Sequence, residues 1–220
     1  MIPIQDAGLP VLGINCHLPL VVVHGPKQYQ GVGIPDLWML QGILKLWLAL
    51  QHGDASTITG HQLRASMELH TIKIRLPGQL LWQDYKLFGQ LATTSWLNHL
   101  WEFCDDRNLQ LTLTMPQLTL SRNHDAFLMQ AFTSQGYQKS QLTLLNLCRL
   151  FCHALQLSDI SSGDSQHILP TSWNGYPNDS SGCEFEWPCH GRPSKTAWDL
   201  WRAAVQKCFL TTETTHLILR

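Results

Sequence analysis

The stretch KSQLTLLNLCRLFCHALQL, residues 139–157, decides the fold class, because its large apolar side chains recur at the spacing of a helix. These side chains are three or four positions apart, so they project from one face of an α-helix. The residues of this face are Leu142, Leu145, Cys148, Cys152 and Leu155. We predict a long amphipathic helix over 139–157 that buries this face.

Similar patterns on both sides of this stretch predict further helices, at about 36–52, 59–73, 94–106, 121–134 and 195–209. Asp36, Ser121 and Ser194 stand where an N-cap side chain accepts hydrogen bonds from the first helical turn. Gly53 stands where a helix ends. The predicted helices therefore have start and stop signals as well as periodicity.

The faces of these helices follow from the same spacing. In the helix at 36–52, one face is formed by Leu37, Leu40, Leu44, Trp47 and Leu48. In the helix at 59–73, the inward residues are Leu63, Met67 and Ile74. Five tryptophans on helix faces are expected to pack in the core, where aromatic rings bury a large area: Trp47, Trp96, Trp101, Trp198 and Trp201.

Short β elements are expected between the helices. Val21–Val23 is a β-prone run, and Leu109–Leu113 alternates apolar and polar residues with the period of a half-buried strand. Further short strands are predicted near 166–169 and 216–219, beside a long loop region at 158–193. The predicted fold class is mainly α, with a few short β elements and an irregular, loop-rich C-terminal region. We expect a helical region at 1–157, with 158–220 either a separate subdomain or part of the same domain.

The composition limits the classes of function. The chain has 220 residues, a net charge of −1 and only 14% charged residues, so it lacks the basic excess of a strong nucleic-acid binder. Its seven cysteines are scattered and mostly lie in apolar helical patterns, which favours reduced thiols in an intracellular protein. No basic leader precedes an apolar run, and the most apolar stretch is too short to span a membrane. We therefore expect a soluble protein that does not bind a membrane.

The motifs that carry chemistry are incomplete. Gly31 and Gly33 lack the third glycine of a phosphate-binding loop, so a rigid turn before a helix is the expected structure. Cys183, Cys189 and His190 are weak candidates for a zinc site, with ordinary loop residues as the alternative, since structural zinc sites use two close ligand pairs. Phe103–Asp106 has the spelling of a polymerase motif, but it ends a predicted helix rather than a hairpin. No catalytic residue and no cofactor are assigned.

A resemblance to a known family is carried by two groups of residues. The run Gly25-Pro26-Lys27, followed by Gly31-Val32-Gly33-Ile34-Pro35-Asp36-Leu37, resembles a segment that follows the polymerase palm in non-long-terminal-repeat retrotransposon polyproteins. That segment often reads Gly-Gly-Leu-Gly-Ile-Pro-Asp-Leu, and here Gln30 and Val32 replace its first Gly and its Leu. The second group resembles the tail of such polyproteins: Arg149–Phe151, Leu157–Ile160, Gly163, Trp173, Trp187–Pro188, Gly191–Ser194, Ala197–Trp198 and Leu200–Trp201.

The resemblance implies the C-terminal, post-palm region of a reverse transcriptase polyprotein, with the catalytic palm upstream of Met1. It implies a thumb-like, non-catalytic fragment whose ancestral ligands are RNA and RNA–DNA hybrids, and whose neighbour is the upstream polymerase domain. A thumb contacts backbone phosphates without reading sequence. The expected phosphate contacts are Lys27, Lys45, Arg64, Lys73 and Arg75, with solvated surface charges as the alternative.

Two other functions remain open. The chain is alternatively a helical protein-interaction module, which would use Trp173 or Trp187 in the loop region as contact residues. A small zinc-dependent protein is the third hypothesis, and it requires a fourth ligand beside the cysteine and histidine candidates. A basic groove would favour nucleic acid, and a neutral aromatic patch would favour a protein partner.

Overall fold

A computed structural model describes residues 10, 11, 13, 15, 17–114, 120, 122, 125–163, 167–178, 187–188 and 191–214. The described part of the chain is mainly helical, which confirms the predicted fold class. Its α-helices are α1 (Leu20–His24), α2 (Leu37–His52), α3 (Ile58–Ile74), α4 (Tyr85–Phe88), α5 (Trp96–Asp106), α6 (Leu128–Ser134), α7 (Lys139–Phe151), α8 (Pro170–Asn174) and α9 (Lys195–Thr214).

The chain forms two compact units, Met1–Trp47 and Leu48–Arg220, and helix α2 runs through their boundary. The boundary considered near residue 157 lies inside the second unit. The described residues after 157 thus belong to the same unit as the helices α3 to α7 that precede them.

In the first unit, the valine run is helical, so the β-prone interpretation of Val21–Val23 is wrong. The chain turns into a helix at Pro19, whose carbonyl accepts hydrogen bonds from the amides of Val22 and Val23 at 2.8 and 3.0 Å. The following glycine segment folds back on this helix, where the Val32 amide donates to the Val22 carbonyl at 2.8 Å. Local turn chemistry therefore overrides the β propensity of valine.

Close backbone packing explains one glycine of that segment. A Cβ added at Gly31 would lie 2.1 Å from the carbonyl oxygen of Gly25. Any larger residue at position 31 would therefore push these two backbone segments apart. Gly33 has a φ of 73°, which glycine adopts without strain. The expected rigid turn before a helix is present, and Asp36 then caps α2 by accepting the Trp38 amide at 2.9 Å.

In the second unit, α3 follows its predicted course closely. Thr57 accepts the Gly60 amide at 3.1 Å and starts the helix, and Arg75 ends it in the left-handed region at φ 42°. The inward residues are buried as predicted: Leu63, Met67 and Ile74 are all less than 5% exposed.

The segment predicted as a strand, Leu109–Leu113, is extended but forms no ladder with another described strand. Leu111 and Leu113 are buried and Thr112 between them is exposed, as predicted, but Leu109 is 40% exposed. The predicted alternation is therefore correct only for the second half of the segment. Side chains take the place of a partner strand. Gln79 bonds both the amide and the carbonyl of Leu113, at 3.1 and 3.3 Å, and the Trp82 indole donates to the Leu111 carbonyl at 3.2 Å.

The described residues do not contain the strand predicted near 166–169. Near 166–169 the described chain has an isolated bridge between Ser161 and Ile168 rather than a strand. The predicted strand at 216–219 lies outside the described residues. Helix α6 begins at Leu128, later than predicted, and the candidate cap Ser121 also lies outside the described residues.

Helix α7 begins as predicted but ends at Phe151, six residues early. The helix ends there because His153 has a φ of 53°, a left-handed conformation that a right-handed α-helix does not contain. Cys152 and Leu155 therefore leave the helix, although Cys152 stays fully buried. Helix α9 packs on α7 through the Trp198 ring, whose centroid lies 5.8 Å from that of Phe151.

Arg149, in the last turn of α7, is fully buried and holds three parts of the second unit together. Its guanidinium bonds the Asn146 side-chain oxygen on the same helix at 3.0 Å (Nε) and 2.7 Å (Nη2). Nη2 also donates to the carbonyls of Ile72 and Lys73 at the end of α3, at 2.9 and 2.8 Å. Nη1 donates to the Ala154 carbonyl at 3.2 Å. One side chain thus joins α7, the C-terminus of α3 and the turn after α7.

The electrostatics of this group are unusual. Burial lowers the pKa of Arg149, nearby Arg75 lowers it further, and Asp159 raises it. The partners of the guanidinium are carbonyl and amide oxygens, including the carbonyl end of a helix, which favours positive charge. The buried charge is therefore stabilised by oriented dipoles.

We expect Arg149→Met to lower the free energy of unfolding by about 3–5 kcal/mol, because each buried oxygen left without a donor costs about 1–3 kcal/mol. Urea unfolding followed by circular dichroism measures this loss. The matched control is Arg107→Met, at an exposed arginine, which should change stability by less than about 0.5 kcal/mol. Equal stability of the two variants would show that the Arg149 network is dispensable.

Candidate functional site

The five predicted phosphate contacts are divided between the two units. Lys27 and Lys45 belong to the first unit, where Lys27 is exposed and Lys45 half-buried. Arg64 belongs to the second unit, and its Nη1 donates to the carbonyls of Gly53 and Ala55 at 2.8 and 3.1 Å. Arg64 thus braces the connection between α2 and α3.

Arg75 is not a surface charge. It is only 3% exposed, and its guanidinium carbon lies 3.9 Å from the centre of the Phe127 ring, a cation–π contact. Burial lowers its pKa to about 10, against a raising effect of Asp159. The prediction of an exposed phosphate contact at Arg75 is therefore wrong. Lys73 is half-buried and donates from Nζ to the Thr93 hydroxyl.

The two tryptophans proposed as partner contacts are both half-buried, and Trp173 lies in helix α8 rather than in a loop as predicted. The Trp173 carbonyl accepts a hydrogen bond from Arg202 Nε at 3.3 Å. The Trp187 ring stacks on His153, with centroids 5.0 Å apart and planes 12° from parallel. The Trp187 ring therefore packs within the second unit, and Trp173 contributes its backbone carbonyl to a contact with α9.

The proposed zinc ligands, Cys183, Cys189 and His190, lie outside the described residues. Within the described ranges, no three Cys, His, Asp or Glu side chains converge as a metal site requires. Cys148 and Cys152 are buried free thiols, and burial raises the pKa of Cys152 to about 12 and that of Cys148 further. Protonated thiols are poor metal ligands, since the thiolate is the binding form.

Phe103–Asp106 lies at the C-terminal end of α5, as the sequence indicated, with Cys104 fully buried. A polymerase motif of this spelling needs a hairpin that gathers its carboxylates about metal ions. The helical setting gives the pair Asp105 and Asp106 no such geometry.

Helix α2 carries the feature that sequence reasoning did not resolve. Its apolar stripe was recognised, but the direction of that stripe was not. The following large apolar side chains on α2 are each 42–62% exposed: Leu37, Leu40, Ile43, Leu44, Trp47, Leu48 and Leu50. We call these seven residues the α2 face. Trp47 is therefore exposed rather than in the core, and Trp96 on α5 is 38% exposed, whereas Trp101, Trp198 and Trp201 are buried as predicted.

Small residues occupy the other side of α2. Gly42 and Ala49 are buried, and their seven-residue spacing places them on one side of the helix, opposite Leu40 and Trp47. A helix that is apolar all round normally has neighbours on every side. The positions of Gly42 and Ala49 could have indicated from the sequence which side of α2 is buried, because closely packed helix surfaces favour small residues such as Gly and Ala.

A groove in the second unit lies beside the C-terminal end of α2. It has a volume of about 670 Å³ and is lined mainly by apolar surface. Its lining residues are Leu48, His52, Thr59, Gln62, Leu63, Ala65, Ser66 and Trp96.

No helix in the described ranges is long and apolar enough to cross a membrane. The chain matches no family model, no curated protein and no solved structure.

The buried thiols predict a pH dependence of stability. Burial raises the pKa of Cys104 and of Cys208 from the ordinary 9.0 to about 11 in each case. In the unfolded chain each thiol ionises near pH 9, while in the folded chain it keeps its proton to about pH 11. Their stabilisation is therefore complete below pH 9 and is lost as pH rises toward 11.

Between pH 9 and 11, we expect each thiol to lower the free energy of unfolding by up to about 1.4 kcal/mol per pH unit. Urea titrations at pH 8, 9 and 10.5 measure the slope. The variant Cys104→Ala/Cys208→Ala keeps Arg75 and Arg149, whose lowered pKa values act in the opposite direction, so the comparison isolates the thiols. Identical pH slopes for the two proteins would contradict the prediction.

Proposed function

We propose that this chain is a non-catalytic, helical protein-interaction module from the tail of a retroelement reverse transcriptase polyprotein, and that the α2 face is its docking surface. The resemblance of Gly25–Lys27 and Gly31–Leu37 to the post-palm segment supports the family. The seven exposed apolar side chains of α2 carry the interaction part of the proposal.

The physical argument rests on the cost of apolar surface in water. Burying such surface contributes roughly 25 cal/mol per Å². Exposed apolar residues are common when they are scattered, but contiguous apolar patches mark interaction sites. The α2 face is contiguous along about three and a half helical turns, since its members recur at spacings of one to three residues from Leu37 to Leu50.

The charges favour a protein partner over nucleic acid. No Lys or Arg belongs to the α2 face, and phosphate binding depends on cations. In the second unit, Arg64 and Arg75 are engaged within the fold. A neutral apolar surface of this kind suits an apolar helix of another polypeptide.

Photo-crosslinking tests this proposal. With p-benzoylphenylalanine at position 44, we expect covalent protein adducts in cells that express the chain, because the α2 face is in contact with a protein. The matched control carries the probe at position 58, where Ile58 is 79% exposed but lies on α3. Mass spectrometry identifies the adducts. Absence of adducts at position 44 above the level at position 58 would sink the proposal.

Sequence-independent binding to RNA or an RNA–DNA hybrid is the second candidate. The observation that favours it is the exposure of Lys27 beside the glycine turn, in the segment that carries the resemblance. The Lys27 side chain lies along Gly33, since a Cβ there would be 3.0 Å from the lysine Cγ. This packing holds the lysine stem against the turn.

We expect Lys27→Ala to weaken binding to a fluorescent RNA–DNA hybrid and to reduce the salt slope by about one phosphate contact. Fluorescence anisotropy between about 50 and 200 mM salt measures both quantities. Lys86→Ala, at an exposed lysine of the second unit, is the control and should leave binding nearly unchanged. If the wild-type chain does not bind at 50 mM salt, the nucleic-acid role is rejected.

A further inference from the structure

The α2 face has the register of a helix-pairing seam. Leu37, Leu40, Leu44 and Trp47 follow each other at spacings of three, four and three residues, which is the a/d pattern of a heptad. All four are between 45% and 57% exposed. A seam of this kind packs against a second helix that lies along α2.

Within α2, the positions that flank this seam carry no charge. The positions beside it are Gln41, Ile43, Leu48 and Leu50. In paired helices, charged flanking residues select a foreign partner and set its orientation. A seam without charged flanking residues does not repel a second copy of itself, so its charge allows two identical chains to pair.

The size of the face also matches a pair of identical chains. With about 200 Å² for each fully exposed large apolar side chain, the α2 face offers on the order of 700 Å² per copy. A stable interface of standard size uses roughly 800 Å² per partner. Two copies of this one helix face therefore come close to the required area without any other contact.

We propose that the α2 face is covered by the α2 face of a second copy of this chain, in an antiparallel, two-fold symmetric helix pair centred near Gly42. This inference rests on the proposed function and names its partner. In this register, Leu40 packs on the partner's Leu44, and Leu37 packs on the partner's Trp47. Every contact occurs twice, as a two-fold axis requires.

The antiparallel direction follows from charge and size. A parallel pair would place two Asp36 carboxylates and two helix N-termini at the same end. An antiparallel pair sets each N-terminus beside a C-terminus, which complements the helix dipoles. It also sets the smaller Leu37 against the larger Trp47 at both ends, so that the two ends of the seam are equally filled.

Sedimentation equilibrium of the purified chain tests the inference between about 1 and 100 µM, the weaker end of the affinities that standard-size interfaces reach. We expect the wild-type chain to sediment at twice its own mass. Leu40→Glu/Leu44→Glu buries four carboxylates at the axis and should raise the dissociation constant about 100-fold or more. Leu40→Glu/Leu44→Lys should restore the pair in part, because each Glu then faces the partner's Lys. In a parallel pair, like charges would meet instead.

The control is Ile58→Glu/Leu69→Glu, which changes exposed apolar residues of α3 in the same way and should remain dimeric. Circular dichroism establishes that each variant is folded, since substitutions at exposed positions leave the core intact. A wild-type chain that stays monomeric at 100 µM, a dimer that survives Leu40→Glu/Leu44→Glu, or a monomeric Leu40→Glu/Leu44→Lys would each overturn the proposal. Crosslinks from position 44 to a different protein would then leave the proposed function standing, whereas no crosslinks at all would remove both.

Discussion

The buried guanidinium of Arg149 is the interaction on which the second unit depends. It lies in the last turn of α7, whose other buried residues are apolar except Asn146. Oxygen atoms from three chain segments accept its hydrogen bonds in place of water. Two of those oxygens are the last carbonyls of α3, which have no partner within their own helix. A helix end that would otherwise need water is thereby capped inside the core, and a buried charge receives its ligands from the same contact.

The polar groups around Arg149 extend this arrangement into the loop-rich region. Asp159 accepts hydrogen bonds from the amides of Leu155 and Gln156 at 2.7 and 2.9 Å. Its negative charge acts to raise the pKa of both buried arginines, Arg75 and Arg149, against the lowering effect of burial. Asn178 donates to the Asp159 carbonyl at 2.9 Å. A region that looks irregular in sequence is consequently ordered by specific polar contacts rather than by a sheet.

Sequence reasoning succeeded where a local rule controls the structure. Asp36 and Ser194 accept amides at the starts of their helices, and the spacing of Leu63 and Met67 correctly identified a buried face. It failed where a distant residue decides the outcome. Nothing near Arg75 in the sequence indicates that its guanidinium packs over the ring of Phe127, which is more than fifty positions away.

At the α2 face, too, part of the structure follows from the local sequence and part does not. The spacing of leucines on α2 identified a common face, but periodicity alone does not say whether a face points inward or outward. Burial in the structure gives the direction, because the small residues Gly42 and Ala49 are the buried ones on α2. The end of α7 was missed because it depends on the left-handed conformation of His153, at a φ of 53°, where glycine would have been the usual sequence signal.

The position of Arg149 along the chain has a consequence for synthesis. The carbonyls of Ile72 and Lys73 that it caps are 77 and 76 residues earlier in the chain. Proteins are made from the N-terminus at about 5–20 residues per second, so α3 waits several seconds on the ribosome with its last turn uncapped. A nascent chain that stops before this arginine has the helices of the first half but lacks the group that closes them. The second unit can therefore reach its final state only after α7 has left the ribosome, and shortened translation products are natural targets for chaperones and proteases.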